Sequence, residues 1–542
     1  MSRLLYPFLR HLSQRSLTDL VRSAVPQLDT TGLTPEQLDR VLFSLHGLDI
    51  LADAQVRREL LETLEEDTLR TLAREAGLDP SRKKYDLAVD LSLKGWTVGV
   101  AWVRQLAQTL GVPDEFLSRK GQKEPAVEVV APFEPPPELF DYQVELADRI
   151  AAALSLGQPR RFLVQLPTGA GKTRVMMEAI VQYLNTRPGE MPKAILWLAH
   201  TEELCDQAVE SFLRVWQARG TYEIRLGRVW GALRPAVSDL IGGFIVASYQ
   251  KSIAWSQDPD SGFDRLAAGC GLVIVDEAHK VLAPSIRGLL EYFDRLGSPC
   301  TVGLTATPGR GRDDSAGNLA LARFFSGHLF TAPSLGDSPI RALQQRGILA
   351  QVDRREVRTG VTIQQMASGV TGDESTEDVP SWVLSALARN QDRNDLICSL
   401  VCEAVKDGLP TLVFCCTIDH AKTLAVMTAI RGLRTGYIDY TMGRSARRRL
   451  VQSFRSGQLD ALFNFGVLST GFDAPNVGCV VIGRPTTSIV LYSQMIGRGL
   501  RGEKVGGTPS FRLIDVRDNL HAFGDLEEVY AHFSPYWMPR QG

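Results

Sequence analysis

From residue 139 onward the chain alternates between short apolar runs and longer stretches in which apolar positions recur every three or four residues. Phe162–Gln165, Ala194–Leu198, Phe244–Ala247, Leu272–Val275 and Val302–Leu304 are almost wholly apolar, the pattern of strands buried on both faces. Arg174–Leu184 and Glu202–Val215, between them, carry the helical period. Strands alternating with helices predict a parallel sheet covered on both sides. A second series, Thr411–Phe414, Ala461–Phe465, Cys479–Ile482 and Phe511–Ile514, predicts another domain of the same kind. Before residue 120 the period is helical throughout. Thr34 reads as an N-cap and Pro35 as the first residue of a helix to Leu45. Leu60, Leu61, Leu64, Leu69, Leu72 and Ala73 continue an apolar face.

Residues 1–120 therefore form a helical accessory domain. Residues 121–138 form a semi-rigid linker, because five prolines between 125 and 138 sustain neither helix nor sheet. Residues 139–335 and 386–542 are the two α/β domains, and 336–385 connect them. The polar stretch Ser368–Asp378 within that connection reads as a mobile loop.

At 542 residues, with 44% hydrophobic and 23% charged, the composition excludes a disordered or collagen-like chain. The formal net charge of −2 means that any nucleic-acid site is a local channel rather than a basic surface at large. Residues 1–125 hold 17 basic and 18 acidic residues, so they are not a basic arm. Eight scattered cysteines form no C-x-x-C pair and no disulfide framework, which suits a reducing compartment. No apolar run reaches the roughly 18 residues of a membrane span. The start, Met1–Ser16, is Arg- and Ser-rich and free of acids, a weak likeness to an organellar transit peptide. An amphipathic first helix in a cytoplasmic protein is the favoured reading, with organellar import as the alternative.

The sharpest chemistry lies at Leu166-Pro167-Thr168-Gly169-Ala170-Gly171-Lys172-Thr173, between a predicted strand and a predicted helix. Glycines let backbone N–H groups turn toward a phosphate, and the following helix presents its positive end. Lys172 can reach the β- and γ-phosphates of ATP, and the Thr173 hydroxyl can hold Mg²⁺. Leu166 stands where the G-x-x-x-x-G-K-[ST] pattern begins with glycine. Asp276-Glu277-Ala278-His279 follows an apolar strand 104 residues after Lys172. Asp276 can bind Mg²⁺ there, and Glu277 can orient and deprotonate an attacking water. Gln494, Arg498 and Arg501 fall in a further segment; two arginines three apart on a helix face one point and can stabilise a phosphoryl-transfer transition state.

Taken in order, these segments resemble superfamily 2 helicases and translocases of the DEAH-box type, over roughly 139–530. Phe140-Asp141-Tyr142-Gln143 resembles the element whose glutamine reads adenine, with Asp141 in place of proline. Ala199–Leu204 resembles motif Ia, with Thr201 where arginine is common. Thr305-Ala306-Thr307-Pro308 matches motif III, and Gln494–Arg501 matches motif VI. Ser469–Asp473 resembles motif V, with Asp473 expected near the nucleotide and Thr470 where glutamate is commoner. The resemblance implies two tandem RecA-like parallel-sheet domains preceded by a small helical domain, with ATP and Mg²⁺ bound between the two. It also implies Gln143, Pro167, Thr168, Gly169, Ala170, Gly171, Lys172, Thr173 and Asp473 as the nucleotide's contacts.

Two basic segments stand apart. Thr68–Leu87 resembles a SAP module, which implies duplex DNA contacts from Arg82, Lys83 and Lys84; a plain helical hairpin is the alternative. Arg444–Arg449 reads as a solvated helical face, or else as a patch tracking a nucleic-acid backbone. The motif style resembles DNA translocases of restriction, phage defence and repair. An RNA helicase and an ATP-gated clamp that recruits a partner are the competing readings. No nuclease constellation is present, so a nuclease would be a separate protein, reached through the accessory domain.

Overall fold

The computed structural model describes residues 5–97, 99–117, 125–130, 138–186, 193–311, 314–360, 378–468, 476–518 and 526–537. Two sheets organise the chain. The first contains β1 (Val127–Val130), β2 (Arg161–Gln165), β3 (Ala194–Ala199), β4 (Ile224–Val229), β5 (Phe244–Ser248), β6 (Cys270–Asp276), β7 (Cys300–Thr305) and β8 (Leu329–Phe330). Their order is β1-β4-β5-β3-β6-β7-β2-β8, and every pairing is parallel except β1 with β4. The second contains β9 (Gln351–Arg358), β10 (Thr411–Phe414), β11 (Thr435–Asp439), β12 (Ala461–Phe465), β13 (Cys479–Ile482) and β14 (Ser510–Arg517), in the all-parallel order β11-β12-β10-β13-β14-β9. Central strands such as β3, β5, β10 and β13 are buried along their whole length, as sheets covered on both faces require.

The apolar runs of the sequence are the cores of these strands. Two boundary expectations are corrected. The proline-rich composition predicts no sheet between 121 and 138, yet Val127–Val130 is an antiparallel edge strand on β4. Its prolines flank the strand, and a sheet edge tolerates what an interior would not. The segment expected only to connect the domains contains β9, which pairs with β14 over its full length. Its alternating charges fit an edge position and hide it from a search for apolar runs. Of the polar stretch read as a mobile loop, residues 368–377 lie outside the described residues. Asp378 accepts from the Thr486 hydroxyl at 2.8 Å and from the Arg484 guanidinium at 2.7 Å.

The accessory domain is helical and docks on the second sheet domain. Thr34 caps the helix Pro35–His46 with both bonds of a capping box formed with Gln37. That helix packs against Ile418–Ile430, and Gln37 Nε2 donates to Ile430 O at 3.1 Å. Leu17, Leu20 and Val21 of the helix Gln14–Ala24 are buried in the accessory core. Buried Asp39 accepts the backbone N–H groups of Leu5 (2.6 Å) and Tyr6 (3.2 Å), anchoring the N-terminal segment to that core. Among the described residues no helix is long and apolar enough to cross a membrane.

Candidate active site

The loops that leave the C-terminal ends of β2, β3, β6 and β7 gather at one edge of the first sheet, where parallel sheets of this type bind ligands. Leu166 is fully buried, and its N–H reaches Thr305 O at 3.4 Å, so it extends the core beyond β2 before the loop turns outward. This explains a leucine at the place of a glycine. Gly171 has φ +87, and a β-carbon on it would lie 2.5 Å from Gln143 Nε2. Glycine is therefore required twice over, for the left-handed backbone and for the approach of Gln143. Gln143 Nε2 and the Tyr142 hydroxyl both donate to Ala170 O, at 3.2 and 2.8 Å, bracing the loop from below. Asp141 forms a two-pronged pair with Arg346 at 2.8 and 3.0 Å, a use for the acid that stands in place of proline. Thr201, the departure in the Ala199–Leu204 segment, caps the helix Glu202–Arg219 through Leu204 N.

Asp276 ends β6 and is buried; burial and neighbouring Glu277 together raise its pKa well above the usual carboxylate range, against the pull of Lys172. Burial lowers the pKa of Lys172, opposed by Glu277 and Asp276. Glu277 adopts φ 53, a left-handed backbone that a β-substituted residue holds at a cost of roughly 1–3 kcal/mol. Its N–H donates to Asp276 Oδ1 at 3.0 Å, and its Oε2 accepts from Gln494 Nε2 of the second domain at 3.3 Å. His279 Nδ1 stands 3.3 Å from the same oxygen, with its pKa pushed down to about 4 by burial, so its ring is neutral at pH 7.

A cavity of about 380 Å³ joins these groups: Gln143, Thr168, Gly169, Gly171, Lys172, Thr173, Asp276, Glu277, Gln494, Arg498 and Arg501 all line it, from both domains. Pro167 and Ala170 belong to the same loop but do not line the cavity. Asp473 and the rest of Ser469–Asp473 lie outside the described residues. Tyr142, Arg174 and Arg214 also line the cavity. Tyr142 could have been picked out as the aromatic next to Gln143; no local pattern marks Arg214.

Two expectations about arginines are corrected. Arg498 and Arg501 do not share a helix, because the helix Ile489–Ile496 ends before them. Gly497, Gly499 and Gly502 weaken helix formation there. The chain turns instead, Arg501 bridges to Leu349, and both guanidinium groups still reach the cavity. Arg444–Arg449 is neither a solvated face nor a free basic patch. Arg444 and Arg448 pair with Asp206, Arg447 with Glu203, and Arg449 with Asp49 at 2.5 Å. These residues bind the second domain to the first and to the accessory domain.

In the Thr68–Leu87 segment the helices Glu66–Glu75 and Lys84–Leu93 pack as a hairpin through Gly77, which has φ +70. Arg82 and Lys83 are exposed and Lys84 half-buried, and Arg82 pairs with Asp90.

The family model for the type III restriction enzyme res subunit matches residues 136–310, and that for the helicase conserved C-terminal domain matches 392–503. The chain belongs to the superfamily 2 helicases. It is 28% identical over 378 residues to IRC3 of Saccharomyces cerevisiae, a protein provisionally named an ATP-dependent helicase; the match covers 67% of this chain and 50% of that one. It is 25% identical over 410 residues to the endonuclease subunit of the type I restriction enzyme EcoAI of Escherichia coli, covering 71% of this chain and 46% of that one. It is 24% identical over 520 residues to the ATP-dependent DNA helicase RecG of Escherichia coli, covering 92% and 63%. The chain thus spans about half to two thirds of the length of these relatives.

Proposed function

We propose that this superfamily 2 protein is a nucleic-acid-stimulated ATPase that converts ATP hydrolysis into movement along DNA, in repair or in restriction and phage defence. One observation carries the reading: the phosphate loop and Asp276-Glu277 of the first domain share a cavity with Gln494, Arg498 and Arg501 of the second. Hydrolysis in a site built this way depends on the two domains being together, so it can report and drive their relative motion.

The donor set fits Mg²⁺ and a nucleotide. Asp276 is a buried carboxylate at a strand end, with its ionised form disfavoured by burial, and a divalent cation would relieve that penalty. Thr173 and Asp276 would hold the ion, whose chemistry is to neutralise charge on the β- and γ-phosphate oxygens. Lys172 and the N–H groups from Thr168 to Thr173 bind the phosphates. Gln143, which braces the loop through Ala170 O, would read the adenine. Glu277 takes the proton of the attacking water, and Gln494 holds the carboxylate that receives it. Arg498 and Arg501 stabilise the charge that spreads over the transferred phosphoryl group.

DNA rather than RNA is supported by the relatives named for DNA substrates and restriction. Arg82 and Lys83, exposed, and half-buried Lys84 of the accessory hairpin supply phosphate contacts to duplex, and the rest of residues 1–120 is a surface for a protein partner such as a nuclease. We place the protein in the cytoplasm, a reducing compartment that suits its free cysteines, with organellar import as the alternative. Turnover measured side by side with single-stranded DNA, duplex DNA and RNA tests the reading, with Lys172→Ala as the control. DNA is expected to stimulate at least tenfold and Lys172→Ala to abolish turnover without unfolding the protein. Stimulation by RNA alone would replace DNA with RNA; normal turnover in a folded Lys172→Ala variant would end the phosphate-loop assignment.

A further inference from the structure

Residues 526–537, which follow the last strand of the second domain, pack on the first domain. Leu526–Ala531 is a short helix and Ser534–Tyr536 a single turn. Phe533 is fully buried and Trp537 nearly so. The Trp537 indole N–H donates to Pro308 O at 2.7 Å. The Phe533 ring lies flush on Gly309, where a β-carbon would come within 2.0 Å of it. Gln165 Nε2 donates to Tyr530 O at 3.4 Å, and the Tyr536 hydroxyl meets Ser315 Oγ at 3.1 Å.

The points of attachment are specific. Pro308 and Gly309 close the Thr305–Pro308 loop, whose Ala306 and Thr307 line the nucleotide cavity. Within that loop Thr305 Oγ1 donates to Thr307 O (2.9 Å) and accepts from Thr307 N (3.1 Å), and Gly309 N donates to Thr307 O (2.9 Å). The turn is tight on its inner side, and Trp537 and Phe533 grip its exit. Gln165 ends β2, one residue before the buried Leu166 that leads into the phosphate loop. A single C-terminal segment therefore touches the bases of two nucleotide-facing loops, and its helix also contacts Ile489–Ile496, which carries Gln494. Neither aromatic residue lines the cavity, so any influence on turnover runs through the loops.

We propose that Phe533 and Trp537 are positioning residues that fix the Thr305–Pro308 loop and, through it, set how strongly ATP turnover responds to nucleic acid. The second half of this statement rests on the function proposed above; the first half stands on the contacts alone. A buried aromatic pair holds its place by apolar contact, and the indole bond gives it orientation. Losing the donor leaves the Pro308 carbonyl without that partner and the loop free to shift against Thr307.

The test uses the full chain with Trp537→Phe, which keeps a ring and removes the donor, Phe533→Leu, which shrinks the plug, and Trp537→His, which restores a ring N–H. Hydrogen exchange of the 302–311 peptide and steady-state turnover with and without DNA are both read, at unchanged melting temperature. For Trp537→Phe we expect exchange at Thr307 and Gly309 to quicken tenfold or more. KM for ATP should stay within twofold, and stimulation of kcat by DNA should fall at least fivefold. Phe533→Leu should act in the same direction, and Trp537→His should recover part of the loss. Unchanged exchange in both Trp537→Phe and Phe533→Leu overturns the proposal. Faster exchange with DNA stimulation intact also overturns it, as does a rise in KM alone, which would assign the segment to nucleotide binding. If the wild-type enzyme shows no response to nucleic acid, the proposed function fails, and the exchange measurement still decides whether the segment positions the loop.

Discussion

Gly497 offers a direct probe of how the two domains meet around the shared cavity. It lies just past the helix Ile489–Ile496 with φ −52 and ψ −17, a backbone that alanine adopts without strain. Alanine should therefore leave the second domain folded and even favour the helix end slightly. Its β-carbon, however, would sit 2.3 Å from Thr168 Cγ2 and 2.8 Å from Thr168 Cβ, in the phosphate loop of the other domain. An ordinary carbon–carbon contact needs about 3.5–4.0 Å, so one side must retreat by more than an ångström. Thr168 is β-branched and stiff at χ1, which leaves domain separation as the easiest release. Overpacking of this kind costs about 1–3 kcal/mol, or roughly 5- to 150-fold in the population of the closed arrangement. Gly497→Ala should then lower kcat/KM for ATP by that factor, while the isolated melting transition of the second domain stays put or rises. Adding Thr168→Ala removes the nearest atom and leaves the 2.8 Å approach, so it should restore part of the loss in a non-additive cycle. Wild-type kcat/KM in Gly497→Ala would mean that the arrangement with Thr168 against Gly497 is not the one that turns over ATP.

Glu277→Gln should keep nucleotide affinity and the bond to Gln494 while lowering kcat by about 10²–10⁴; single-turnover hydrolysis at the wild-type rate would place the base elsewhere. Alanine at Arg82, Lys83 and Lys84 together should weaken duplex binding and flatten its log–log salt slope by up to about three, with basal turnover unchanged. An unchanged slope would leave the Glu66–Leu93 hairpin as a protein-docking element. Asp39, buried beneath Leu5 and Tyr6, has its pKa pushed up to about 6, chiefly by burial. A carboxyl that holds its proton more tightly when folded stabilises most below its unfolded value near 4, so accessory-domain stability should fall as pH rises from about 4 through about 6. The span corresponds to roughly 3 kcal/mol at most, and amide exchange at Leu5 and Tyr6 across that range would reveal it. Flat protection would show that the two N–H bonds to the carboxylate offset its burial.

What the sequence determined by itself is local chemistry and local structure. The strands of both sheets that carry apolar runs, the capped helix at Thr34, the glycine turn of Leu166–Thr173 and the position of Asp276-Glu277 at a strand end were all legible, because each rests on neighbouring residues: apolar periodicity, a cap, a glycine turn between strand and helix. β1, β4, β8, β9 and β11 were not, since short, charged or glycine-containing strands at or next to a sheet edge lack the apolar run that betrays a buried one. The tertiary structure alone decided which distant groups meet. Arg498 and Arg501 reach the cavity through a turn and a bridge to Leu349 rather than through helical spacing. Arg444, Arg447, Arg448 and Arg449 find their partners at Asp206, Glu203 and Asp49, acids about 240 and 400 residues away. Trp537 finds Pro308 across 229 residues. Ion pairs and buried aromatic contacts of this kind have no sequence period. Their partners are chosen by how the domains pack, and nothing in the residues neighbouring either side records the choice.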